Sequence, residues 1–269
     1  MTHTLASMAE AAVAVLEAGP VREKLAAAGR AAKALADSRP TGGASTPPDR
    51  PSRPALPCLV PPGEVPRRRL GTTDGRIALL HAIAHIEFNA IDLAFDMAAR
   101  FAGDAAALGL DGASFMADWF AVGADEARHF ALIEDRLAAL GGAYGDLPAH
   151  DGLWEAAENT AGDLLARLAV APLILEARGL DVTPGMIEKL HAAGDQESAA
   201  ALEVIYRDEV GHVACGKKWF HAVCKAKSLE PISTFRDLKA RYFKGVLKPP
   251  FNHDARDRAG LTRAYYEPI

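Results

Sequence analysis

Two five-residue stretches of this chain share one pattern, Asp-Glu-x-x-His. They are Asp125-Glu126-Ala127-Arg128-His129 and Asp208-Glu209-Val210-Gly211-His212. Each sits inside a stretch of about 30 residues without proline, 112–140 and 195–226, rich in alanine. Both stretches read as long helices. On a helix, residues i and i+3 share a face. Glu126 and His129 therefore aim at one point, and so do Glu209 and His212. Their faces are otherwise apolar. A carboxylate buried among apolar side chains is costly unless paired or metal-bound, so the fold must give these groups a partner.

That requirement directs attention to the other long helices. Residues 75–102 read as one, and residues 151–179 as another that Pro172 should kink. Thr183 and Pro184 open a short helix over 183–193, with the proline at a favoured first-turn position. In the first helix Glu87 lies among Leu80, Ile83, Ala84, Ile91 and Ala94. In the third, Glu176 shares a face with Leu165, Ala169, Leu173 and Leu180. The chain order is then Glu87; Glu126 and His129; Glu176; Glu209 and His212. One Glu from each of two helices and Glu-x-x-His from each of the other two is the ligand set of dinuclear carboxylate bundles. Four carboxylates balance two divalent cations, leaving the buried cluster near neutrality. Oxygen and nitrogen donors suit iron or manganese better than a closed zinc site. Each imidazole has a second nitrogen that needs a partner. Asp125 and Asp208 are placed to accept from the histidine of the opposite motif, with Arg128 pairing one of them.

The stretches His85-Ile-Glu87-Phe-Asn-Ala-Ile-Asp92, Asp125-Glu-Ala-Arg-His129, Glu176-Ala-Arg-Gly-Leu-Asp181 and Tyr206-Arg-Asp-Glu-Val-Gly-His212 resemble the ferritin-like superfamily. They look like an uncharacterised bacterial branch of it, catalogued as a domain of unknown function. The resemblance covers residues 75–225. It implies a dinuclear centre of two iron ions (manganese or mixed Mn/Fe being alternatives) at the six positions above, and oxygen or peroxide chemistry. The fold expected is all-α: a ferritin-like four-helix bundle over 75–226, an N-terminal helical arm over 1–37 and a basic C-terminal tail over 227–269. Residues 38–74 read as a linker or strap, because nine of the seventeen prolines fall within 38–70 and exclude regular helix.

The favoured activity is a non-haem di-iron oxidoreductase that oxidises or hydroxylates a small molecule. An external electron donor is needed, since no flavin, nicotinamide or iron–sulfur fingerprint is present. The alternatives are iron handling without an organic substrate, as ferroxidase or store, and a tRNA-hydroxylase-like enzyme. Tyr206, three residues before Glu209, is a candidate cavity-facing catalytic group. Trp119 and Trp219 read as core or cavity lining. His81, His85, Asp92 and Asp96 occupy a different strip of the first helix from Glu87 and read as a polar surface or interface strip. Arg67, Arg68 and Arg69 read as the solvated end of the strap. Residues 215–248 hold nine Lys or Arg against two acids, a solvated end packing on an acidic bundle. The net charge of -5 argues against nucleic acid or anionic membrane as partner; a homo-dimer stays open. Cys58, Cys215 and Cys224 form no Cys-x-x-Cys pair and fit a reducing, cytoplasmic compartment. Glu10 and Glu17 interrupt the first apolar stretch, so no signal peptide is read, and residues 168–175 are the longest clear apolar run, too short to span a bilayer.

Overall fold

A computed structural model describes residues 7–38, 46–65 and 70–267. The expectation for Arg67, Arg68 and Arg69 lies outside the described residues, as do parts of the strap. Among the described residues the architecture is all-helical. No strand forms, and an isolated bridge pairs Leu59 with Ala149.

Helices α1 (Met8–Glu17) and α2 (Val21–Ala36) form an arm. Ser7 and Glu10 close a capping box on α1, and Pro20 ends the turn between the two. Ala11, Ala12, Ala27, Ala28 and Ala31 are buried, so the small side chains let this pair lie close against α3 and α4. Helix α3 (Thr73–Ala107) is capped by Thr72, whose hydroxyl accepts from the Gly75 N–H at 3.1 Å. Helix α4 (Gly112–Ala139) returns along α3 after a short turn capped by Asp111. A Cβ on Gly123 would sit 2.6 Å from the Phe95 ring, so glycine sets this close approach.

The third long segment is discontinuous. Helix α5 (Gly152–Asn159) ends at Thr160, and α6 (Leu164–Val170) starts anew with Asp163 accepting from the Ala166 N–H. A π-type turn spans Ala171–Glu176 and runs directly into α7 (Ala177–Ala192). Pro172 thus widens the helix to a π-type turn, a device common at functional sites. Helix α7 continues through Pro184, so no separate helix begins there. Proline cannot donate to the Leu180 carbonyl four residues back; the Asn252 side chain donates to it instead at 3.1 Å.

Helix α8 (Gln196–Ala226) packs on α4, α6, the π-type turn and α7. The C-terminal segment folds onto it as α9 (Pro231–Tyr242), α10 (His253–Arg258) and α11 (Arg263–Tyr266). Phe235, Leu238, Leu261, Tyr265 and Tyr266 join the main core. Buried Asp181 holds Arg256 through two hydrogen bonds of 2.8 and 2.7 Å.

The strip of α3 carrying His81, His85, Asp92 and Asp96 is not a surface: all four are buried. It is an internal seam beneath the arm, the strap and the loop after α4. Lys24 of the arm pairs with Asp92 at 2.5 Å, and Arg53 of the strap lies 3.3 Å from it. Arg167 of α6 and Arg100 both bond Asp96, and Arg100 also donates to the Pro48 carbonyl. His85 bonds the Tyr144 hydroxyl and the His150 carbonyl; burial pushes its pKa down to about 4. His81 Nε2 accepts from the Gly145 and Leu147 N–H groups. Each buried charge therefore has a partner from a distant stretch of chain, which burial at low dielectric requires.

By length and composition α3 is apolar enough to cross a bilayer, although no run in it is uninterrupted. Most of its apolar window is packed inside the protein, as in the central helix of a globular core.

Candidate metal centre

Helices α3, α4 and α8 and the end of the π-type turn bring the six predicted residues to one interior region. Glu87, Glu126 and His129 offer donor atoms within 4.8 Å of one another, and so do Glu126, Glu209 and His212. Glu126 belongs to both groups. Its Oε1 lies 2.9 Å from His212 Nδ1 and its Oε2 lies 3.4 Å from His129 Nδ1. His129 Nδ1 is also 3.3 Å from Glu87 Oε2, and His212 Nδ1 is 3.8 Å from Glu209 Oε2. Glu176 belongs to neither group, but its charge acts on Glu209 and it lines the same cavity as Glu87 and Glu209.

These approaches are close without being hydrogen bonds. Seven buried atoms lack a hydrogen-bond partner here: Glu87 Oε2, both Glu126 oxygens, His129 Nδ1, Glu176 Oε2, Glu209 Oε2 and His212 Nδ1. Buried polar atoms are normally satisfied, and all six residues contribute at least one exception.

The outer imidazole nitrogens are occupied. His129 Nε2 faces Asp208 at 3.3 Å, and His212 Nε2 faces Asp125 at 3.4 Å. The pairing is crossed, each histidine leaning on the aspartate of the other motif. Arg128 ties both aspartates together, at 2.7 Å from Asp125 and 2.8 Å from Asp208. Asp208 is mostly covered while Asp125 and Arg128 are half exposed, so this layer reaches the α4–α8 surface. An Nε2–H donated outward leaves the Nδ1 lone pair directed at the carboxylates.

The protonation of the cluster follows from burial and mutual charge. Burial, then the charge of Glu126, pushes Glu87 up to about 8 and Glu176 up to about 7. Burial lifts Glu209 well above the usual carboxylate range. Burial would raise Glu126 too, but the facing imidazoles, His212 first, hold it below that range. Burial opposes charge on the histidines, yet the surrounding carboxylates prevail and raise His129 to about 10 and His212 well above its usual value. Without cations the cluster thus holds extra protons, which divalent ions would displace.

Trp119 and Trp219 pack with Phe115, and Trp219 donates to Asp118; they belong to the aromatic core. The Tyr206 hydroxyl accepts from the Asn252 side chain at 2.8 Å, because the segment before α10 lies over α7 and α8 at that point; Tyr206 is not among the residues that line the cavity beside the carboxylates.

A cavity of about 170 Å³ opens beside the carboxylates. Glu87, Glu176 and Glu209 form one side of it. Its apolar wall was not singled out from the sequence, although helical spacing carried the signal. Ile83 and Ala90 lie four before and three after Glu87, and Leu202 and Ile205 lie seven and four before Glu209.

A family described as "Protein of unknown function (DUF455)" matches residues 17–267. The chain belongs to this family. An uncharacterized protein of Haemophilus influenzae is 45% identical over 210 residues, covering 78% of this chain and 73% of the relative. No solved structure matches. The matched region takes in every residue of the cluster and the helices that carry them.

Proposed function

We propose that Glu87, Glu126, His129, Glu176, Glu209 and His212 hold two divalent metal ions in a ferritin-like four-helix bundle, and that the protein is a non-haem di-iron oxidoreductase acting on a small organic molecule. The observation that carries this reading is the convergence of seven unsatisfied buried donor atoms from six residues on one region. The donor set fits iron or manganese: carboxylate oxygens and imidazole nitrogens, with no thiolate. The four carboxylates match the charge of two divalent ions.

Bound iron would supply redox chemistry toward dioxygen or peroxide. The protein residues prepare the site for it. Asp125 and Asp208 fix the tautomer and orientation of the imidazoles. Glu126 turns one oxygen toward each histidine and would contribute to both donor groups. The apolar wall excludes water and holds a substrate against the carboxylates. This cavity favours oxidation of an organic molecule over iron storage, which needs no apolar chamber.

Anaerobic loading with Fe(II) followed by a dioxygen pulse tests the reading. Oxidation of about two iron ions per chain, with no further uptake, is expected. Uptake of many more ions would indicate iron handling, and failure to consume dioxygen would overturn the proposal.

A further inference from the structure

The lining of the cavity beside the carboxylates runs from buried to exposed residues. Its floor is Glu87, Glu176 and Glu209, and its walls include Ala90, Leu202 and Ile205, which are almost fully buried. Among the described residues that line it, Arg178 is the one basic side chain. Arg178 is 41% exposed, which places it at the mouth. Its Nη1 donates to the Lys248 and Pro250 carbonyls at 2.7 and 3.1 Å. Those contacts hold the guanidinium in place from one side. Its Nε and Nη2 have no partner among the described residues. Nη1 also donates to Asp181 at 3.4 Å, a carboxylate already held by both Nε and Nη2 of Arg256. Asp181 is thus shared with Arg256, and the free edge of Arg178 is the two-donor fork that matches a carboxylate.

From this we propose that the cavity binds a small amphiphilic carboxylic acid, with its head on Arg178 and its apolar end against Glu87, Glu176 and Glu209. The chamber fixes the size. An apolar cavity of about 150 Å³ holds benzene, so 170 Å³ admits roughly six to ten non-hydrogen atoms. The arginine fixes the direction, because the charged head stays at the exposed end with Arg178 and the apolar chain fills the buried end. The C–H bonds of the chain end then lie nearest the cluster. The assignment rests on the reading of that cluster as the reaction centre, but the binding it predicts does not require metal.

The experiment is titration calorimetry of the full chain, chelator-treated, with hexanoate and hexan-1-ol. Hexanoate should bind, and hexanol roughly five- to tenfold more weakly, the loss expected for one half-exposed charged hydrogen-bond pair. Arg178→Gln should lower hexanoate affinity to that of hexanol and leave hexanol unchanged. Ala90→Leu, which fills the chamber, should abolish binding of both. Equal binding of hexanoate and hexanol by the unaltered protein would overturn the proposal, and that comparison does not depend on either variant folding. Orientation is read in Mn(II)-loaded protein by proton relaxation of hexanoate. Its methyl protons should relax faster than its C2 protons; the reverse would put the head on the metal and refute the assignment. Elemental analysis of samples loaded with Mn(II), with hexanoate binding measured on the same samples, separates the two claims. Metal without hexanoate binding refutes the ligand assignment alone, and hexanoate binding without metal refutes the metal reading alone.

Discussion

Two glycines of α8 should respond to the same substitution with opposite signs. Gly→Ala in a helix normally stabilises by about 1 kcal/mol, because alanine loses less backbone entropy. At Gly211 a Cβ meets nothing within 4 Å, so Gly211→Ala should give close to that gain. At Gly216 a Cβ would lie 2.3 Å from Pro172 Cβ and 2.4 Å from its Cγ. That is about 1.2 Å inside a close carbon contact of 3.5 Å. A proline ring fused to the backbone cannot rotate away, so α8 and the π-type turn must separate. Overpacking of this kind costs about 1–3 kcal/mol, and the rigid partner puts it at the upper end. Subtracting the propensity gain leaves Gly216→Ala less stable by about 2 kcal/mol. In a chain of this size 1 kcal/mol is about 2–4 °C. Thermal unfolding followed by circular dichroism should therefore show a drop of about 4–8 °C for Gly216→Ala and a rise of about 2–4 °C for Gly211→Ala. Glu176 ends the turn that carries Pro172, so Gly216→Ala should also weaken metal binding. A Gly216→Ala protein as stable as the unaltered chain would refute the packing argument.

Three other outcomes follow from the buried polar groups. Asp96→Ala leaves Arg167, which is 1% exposed, without its carboxylate; urea unfolding should show a loss of about 3–5 kcal/mol, and a loss near zero would contradict the seam. Burial lowers the pKa of His81 below 6.5, and its Nε2 must stay unprotonated to accept two N–H groups. The unfolded chain takes up that proton below about pH 6.5 while the folded chain resists it, so stability present above 6.5 falls as the pH drops. His81→Gln keeps an acceptor and removes the titration, so its urea midpoints at pH 7.5 and 5.5 should differ less than those of the unaltered protein. Asp125→Ala with Asp208→Ala removes both outer partners of the imidazoles and should weaken metal binding about 10–100-fold by competition with a chelating dye.

Much of the centre was legible because its signal is local. The Glu-x-x-His spacing acts within one helical turn, and the helices carrying it, 112–140 and 195–226, match α4 and α8 to within a residue. Glu87 stood out as an acid on an apolar stripe. What was missed depends on partners far away in the chain. Pro184 looked like a helix start, because the Asn252 side chain that accommodates it lies 68 residues later. Residues 151–179 read as one kinked helix, although the break at 160–163 lets Arg167 bond Thr160 and reach Asp96. The spacing separated His81, His85, Asp92 and Asp96 from Glu87 correctly, but could not show that Lys24 and Arg53 cover them. Tyr206 has the helical register of a cavity group, and its contact with Asn252, 46 residues later, was not readable from spacing.

The central claim is that the cluster is built to hold metal. Protein purified without chelator, with its iron and manganese counted by elemental analysis, addresses it most directly. About two ions per chain are expected, and trace amounts in the Glu126→Ala, Glu209→Ala double variant folded to the same helical content. Metal absent from the unaltered protein even after loading with Fe(II) or Mn(II), or present at equal levels in the double variant, would contradict it.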